Sequence, residues 1–244
     1  MTKQLNSNTL KIIAAAAMLI DHIGLIFFPY EPIFRVIGRL AFPIFAFMIA
    51  EGCKYTKNRL KYFLTIAVLG VLCQIFYFIF KDSLYMCILI TFSLSILIIY
   101  SLQYTKKTLL CKKSSVLKLF SVLVFVFTVV AVYILNLYFE IDYGFWGCMT
   151  PVFASIFQHR EKNIPARLKH LDNIPNNIFC MSICLVIVAV SLKGTQCYSL
   201  LALPLLLKYS GEKGEKNMKY FFYIFYPLHL IILNGISMVL QSSL

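Results

Sequence analysis

Among the ionisable residues within or at the edge of apolar runs of this 244-residue chain, seven are of chemical interest: Asp21, His22, Arg35, Arg39, Glu51, Asp142 and His229. An aspartate at the centre of a membrane helix costs roughly 2.5–3.5 kcal/mol on insertion scales, so each such residue must find a partner or water. A histidine in that setting takes a proton from an amine or hydroxyl near neutral pH, provided a carboxylate fixes its tautomer. Asp21 is next to His22 in sequence but about 100° round a helix, and Asp142 is an equal candidate for that carboxylate. Arg35 and Arg39 are four residues apart and share a helix face. They suit an anionic substrate group, or the oxyanion that develops as a tetrahedral intermediate forms. The plainer reading makes Asp21 the partner of Arg35 or Arg39, clamping the first two helices, and both readings of Asp21 stand. In "KYFFYIFYPLHLIIL" Tyr226 and His229 share a face, and Pro227 between them frees a carbonyl one turn earlier. Pro43, in "FPIFAF", predicts a second kink.

The elements that must position these residues are membrane helices. The chain is 60% hydrophobic with a mean hydropathy of +0.81, and its apolar runs reach the ~20 residues that span a bilayer. Hydropathy predicts an all-α, polytopic bundle of about nine spans, at 10–29, 34–51, 61–80, 84–104, 117–139, 143–157, 178–192, 196–208 and 219–240. The opening "MTKQLNSNTLK" is not followed by a small-residue cleavage site, which argues against a cleaved signal peptide. The net charge of +13 is gathered in "KYTKNRLK", "KKTLLCKKSSVLK", "HREKNIPARLKH" and "KYSGEKGEKNMK". These clusters alternate with short loops holding only Lys81 and Lys193, a bias that places the N-terminus in the cytoplasm and the C-terminus outside. The pattern is one of membrane anchoring and not of nucleic-acid binding. On this topology His22 lies about six residues, roughly 9 Å, from the outer end of its span, with His229 within about a turn of it in depth. The eight cysteines lack zinc-type spacing and read as small buried hydrophobes, so no metal is expected. Residues 1–244 read as a single transmembrane domain.

Four strings carry a family resemblance: "LKIIAAAAMLIDHIGLIFFP", "FRVIGRLAFPIFAFMIAEGCKYTKNRLKY", "DYGFWGCMTPVF" and "KYFFYIFYPLHL". In order and spacing they resemble the TraX family. The matching positions are Asp21, His22, Arg35, Arg39, Pro43, Glu51, Gly52, Thr56, Arg59, Asp142, Tyr143, Gly144, Tyr226, Pro227 and His229. The resemblance implies a multi-pass protein of the bacterial cytoplasmic (inner) membrane, related to integral-membrane acyltransferases that use acetyl-CoA. The family's namesake is associated with N-terminal acetylation of the conjugative pilin. On this reading acetyl-CoA docks at the cytoplasmic rim, where Lys54, Lys57, Arg59 and Lys61 meet its phosphates. Arg59, Lys57, Glu51 and Tyr226 are then the expected acetyl-CoA-binding residues, and His22, His229, Asp21, Arg35, Arg39 and Asp142 the expected catalytic ones. The acceptor is a peptide or pilin N-terminus, or an envelope glycan, at the membrane or its outer side. A transporter or flippase without covalent chemistry is the competing reading, because intramembrane charges and a broken last helix fit it too.

Overall fold

A computed structural model describes residues 4–81, 85–111, 113–161, 164–215 and 218–242. Lys3, together with Lys112, Lys162 and Lys216 of the basic clusters, lies outside the described residues. The regular elements are helices: α1 (Ser7–Phe27), α2 (Pro32–Gly38), α3 (Ala41–Tyr55), α4 (Arg59–Lys81), α5 (Ile88–Leu110) and α6 (Ser115–Tyr138). They continue with α7 (Gly144–Ala154), α8 (Ala166–Leu171), α9 (Ile174–Leu192), a 3₁₀ segment (Gly194–Ala202), α10 (Leu203–Leu207) and α11 (Lys219–Ser242). Among the described residues seven stretches are long and apolar enough to cross a membrane: α1, α2 with α3, α4, α5, α6, α9 and α11. The chain is a multi-pass membrane protein. Two of the nine expected spans are shorter. The sixth is the 11-residue α7, about 16 Å long at 1.5 Å per residue, and the eighth is the segment Gly194–Leu207.

Two compact units divide the chain, residues 1–48 with 185–244 and residues 49–184. In the first, Asn6 caps α1, its side-chain oxygen accepting the Thr9 amide at 2.9 Å. α1 packs against both α2 and α11, and α2 also packs against the 3₁₀ segment. The expected kink at Pro43 falls elsewhere. The helix breaks at Arg39 and Leu40 and restarts at Ala41. Pro43 therefore sits in a first turn, where its missing N–H is one that no carbonyl would have met. Nor does Pro227 break the last helix, since α11 runs through it without interruption.

The close approach of α1 and α2 depends on Gly38, because a Cβ there would occupy the place of the Asp21 carboxylate. An apolar cluster of Ala17, Met18 and Ala41, with Phe225 and Tyr226 packed on it, holds this part of the unit together.

In the second unit α5 is the inner helix, in contact with α4, α6 and α7. Hydrophobic burial cannot drive helices together inside lipid, so small and polar side chains make the joints. Ser95 Oγ donates to the Cys148 carbonyl of α7 at 2.8 Å, and Thr105 Oγ1 to the Ser121 carbonyl of α6 at 2.7 Å. Six of the eight cysteines are buried as expected; Cys111 and Cys197 are exposed. Cys111 follows the last turn of α5, and Cys197 is one residue round the 3₁₀ segment from the buried Gln196.

Gly38→Ala is expected to destabilise the protein by about 1–3 kcal/mol, the range for overpacking a filled site, read as a lower Tm in detergent. Gly235→Ala is the control: a Cβ there meets nothing within 4 Å, so relief of helix entropy should leave Tm unchanged or raise it.

Candidate functional site

His22 and His229 come from α1 and α11 and meet in the first unit. Their ring centroids are 5.0 Å apart and tilted by 54°. His229 Nδ1 lies 2.8 Å from the Phe225 carbonyl, and His22 Nδ1 lies 2.9 Å from the Met18 carbonyl. A carbonyl oxygen only accepts, so each Nδ1 carries the proton and each neutral ring keeps its lone pair on Nε2. His229 Nε2 is 3.2 Å from His22 Nδ1, so the single His22 N–H is shared between the Met18 carbonyl and His229 Nε2, the carbonyl being the nearer acceptor. The tautomers are thus set by backbone carbonyls one helical turn back, and not by the carboxylate expected for that role.

The order of the pair has a chemical meaning. A proton arriving at His22 Nε2 raises the acidity of the opposite N–H, which His229 Nε2 shares with the Met18 carbonyl. His229 is buried and its ring stacks on Phe225 at 5.0 Å, with Tyr226 edge-on at 5.6 Å. His22 is half-buried. A general base with a second imidazole behind it is what the geometry supplies.

Asp21, one residue round α1, takes the Arg35 guanidinium of α2 at 2.6 Å. The clamp expected from the sequence is present, and the choice between the two arginines falls on Arg35. Arg39 Nη1 donates instead to Gln196 Oε1 at 3.0 Å. Gln196 and Ser199 lie on the 3₁₀ segment and are 3% and 0% exposed. Neither carries a charge, so a rule that singles out ionisable residues passes over them. Their signal is a polar pair three residues apart in the otherwise apolar eighth segment.

Four other expected site residues, Asp142, Arg59, Lys57 and Glu51, belong to the second unit. Asp142 accepts the Tyr85 hydroxyl at 2.5 Å, while its backbone carbonyl accepts Thr91 Oγ1 at 2.9 Å. Arg59 Nη2 donates to Gln103 Oε1 at 2.7 Å, and its guanidinium lies over the Tyr100 ring at 5.1 Å. Lys57 is exposed in the turn between α3 and α4. Glu51 is buried and accepts Gln158 Nε2 at 2.9 Å. Tyr226 stands beside His229 in the first unit.

Around Arg59 the chain ends of several helices converge. Arg160 donates to the Cys53 and Thr56 carbonyls at 3.1 and 2.7 Å, closing the C-terminal end of α3. Lys106 Nζ gives its three protons to the carbonyls of Ser155, Ile156 and Gln158, at 2.6–3.1 Å, just past α7. Lys54 pairs with Asp172 at 2.7 Å, and Asp172 also accepts the His159 amide at 3.0 Å. From the sequence, Arg160 was one more anchoring charge. Gln103 Nε2 is a buried donor without a partner beside Arg59, so the donor set is one that suits an anion.

The TraX protein family matches residues 6–237, nearly the whole chain. An uncharacterized protein of Rickettsia prowazekii (strain Madrid E) is 41% identical over 92 residues, 37% of this chain and 35% of that protein. A probable fimbrial assembly protein FimC, serogroup H1, of Dichelobacter nodosus is 38% identical over 73 residues, 28% of this chain and 30% of that protein. The alignments thus cover about a third of each relative's length. No solved structure matches.

Burial pushes the His159 imidazole below the usual histidine range, against the opposing pull of the Phe157 carbonyl on its Nδ1–H. Between that lowered value and about 6.5 the unfolded chain binds more protons than the folded one. Stability should therefore be full above pH ~6.5 and fall as the pH drops toward the folded-state value. Limited proteolysis of the 156–172 loop from pH 7.5 to 5.5 checks this, with cleavage rising on acidification and His159→Gln flattening the rise.

Proposed function

The chain belongs to the TraX family, and on that premise we propose that it is an acetyl-CoA-dependent membrane acetyltransferase acting on an amine or hydroxyl acceptor. The observation that carries the reading is the His22–His229 pair, two imidazoles 3.2 Å apart with their tautomers set. Acetyl-CoA supplies an acetyl group activated as a thioester. His22 Nε2 takes the proton from the acceptor nitrogen or oxygen as that atom bonds to the acetyl carbonyl carbon. As the carbon–sulfur bond breaks, the imidazole returns the proton to the departing thiolate, so CoA leaves as the thiol. His229 shares the positive charge in between through the His22 Nδ1–H bond.

Asp21 and Arg35 hold α1 against α2, and so keep His22 in place. Arg39 is the cation assigned to the developing oxyanion. For the phosphates of acetyl-CoA the reading assigns Arg59 and Lys57, with Arg160 and the Gln103 amide joining them. Glu51 is a buried carboxylate, so its part is to position Gln158 and not to meet phosphate. Asp142 is assigned to the stability of the 140–144 turn through Tyr85.

A cytoplasmic N-terminus, set by the charge bias, is part of the proposal, as is residence in the bacterial inner membrane. The name of the Dichelobacter relative favours a fimbrial or pilin subunit N-terminus as acceptor over an envelope glycan.

Purified protein in nanodiscs with acetyl-labelled acetyl-CoA and a peptide bearing a free N-terminus should release CoA and label the peptide. His22→Ala is expected to lower turnover by 10²–10⁴-fold, the usual worth of a general base, and His229→Ala by less. Turnover that survives His22→Ala undiminished would sink the histidine mechanism. Wild-type protein that leaves acetyl-CoA intact with every acceptor fraction would favour transport.

A further inference from the structure

Most buried serines of this chain bond a carbonyl one turn back in their own helix: Ser95 to Thr91, Ser101 to Ile98 and Ser155 to Val152. Ser199 does not. Its hydroxyl is wholly buried and has no hydrogen-bond partner. Three residues earlier, Gln196 Nε2 is in the same condition. The identity of that atom is secure, because a guanidinium only donates and Arg39 Nη1 therefore selects the carboxamide oxygen of Gln196. With Oε1 taken, the Gln196 amide group turns its two N–H bonds away from Arg39.

A 3₁₀ helix has three residues per turn, so side chains at i and i+3 stand one above the other. Gln196 and Ser199 thus present two donors along one line of the segment that packs against α2. Arg39 caps α2, and α2 packs against α1, which carries His22. The Arg39 amide bonds the carbonyl of Arg35, whose guanidinium pairs with Asp21, the neighbour of His22. Two desolvated donors beside a guanidinium form a site for an oxygen that carries or develops negative charge. Left empty of such a partner, each would be a buried polar group at a cost.

We infer that Gln196 Nε2 and Ser199 Oγ form a two-donor site for the carbonyl oxygen of the acyl group, with Arg39 as its charge. The inference rests on the acetyl-transfer reading and names where the acyl oxygen sits during it. Such donors act on the oxygen most strongly when it becomes an oxyanion, so they raise kcat more than they lower KM.

Gln196→Glu keeps an oxygen for Arg39 and replaces the donor by an acceptor; Ser199→Ala removes the hydroxyl alone. Each is expected to lower kcat for CoA release by about tenfold to a hundredfold, with KM for acetyl-CoA changed by less than about threefold. Ser199→Ala should melt at the wild-type temperature or above it, since it deletes an unpaired buried group. Acetyl-CoA should raise Tm more than free CoA does, and both variants should lose that difference. Unchanged kcat in either variant overturns the inference and leaves the acetyl-transfer reading standing. A Tm that falls in Ser199→Ala also overturns it, because the hydroxyl is then a structural bond. If wild-type protein releases no CoA, the acetyl-transfer reading itself fails. The donor site is then judged on melting alone: an acetyl-specific shift present in wild type and absent in both variants upholds it, and any other pattern overturns it.

Discussion

Lipid offers nothing to a charge or an unpaired polar atom, and every polar side chain within these helices has been placed under that constraint. The answers differ by residue. Asp21 meets a guanidinium from the next helix. The two histidines meet backbone carbonyls of their own helices and then each other. Lys106 spreads its three protons over three carbonyls at a helix end. Because an unpaired group in such surroundings costs several kcal/mol, these bonds decide which helices lie side by side. α1 lies against α2 and α11 because Asp21 and His22, adjacent in sequence, face different partners.

That adjacency resolves the tension between structural and chemical roles for the Asp-His pair. About 100° separates consecutive residues on a helix, so one turn of α1 can serve two neighbours at once. The ion pair fixes the α1–α2 joint, which Gly38 permits by leaving room for the carboxylate. The imidazole is then presented to α11, where His229 is buried among Phe225 and Tyr226. A clamp of this kind fixes the turn of α1 that carries the His22 imidazole.

The sequence disclosed the charged members of this arrangement and little of what orients them. His22 and His229 stand out because ionisable groups are rare in apolar spans, and a topology count brings them to similar depth. The choice of Arg35 over Arg39 was not legible: the two stay one helical turn apart, and only their partners, Asp21 for one and Gln196 for the other, tell them apart. Backbone carbonyls as tautomer-fixing partners leave no trace in residue types, since every helix has them. The two short segments were read as spans on hydropathy alone. Their true lengths depend on where helix geometry ends, at the left-handed Tyr143 before α7 and at the switch to 3₁₀ winding after Gly194.

Gln196 and Ser199 show the same gap from the other side. Intramembrane charge is conspicuous because it is expensive, whereas an amide or a hydroxyl in an apolar run is common and usually bonded to its own helix. What sets these two apart is a missing bond, and a missing bond exists only in three dimensions. In α5 the serines and threonines find carbonyls, since an α-helix offers one a turn back and α6 and α7 offer others. On the 3₁₀ segment the side chains stack in line, so Gln196 and Ser199 face the same way and neither supplies what the other lacks. The tighter winding therefore lines up two donors that an α-helix would have fanned apart by about 60°.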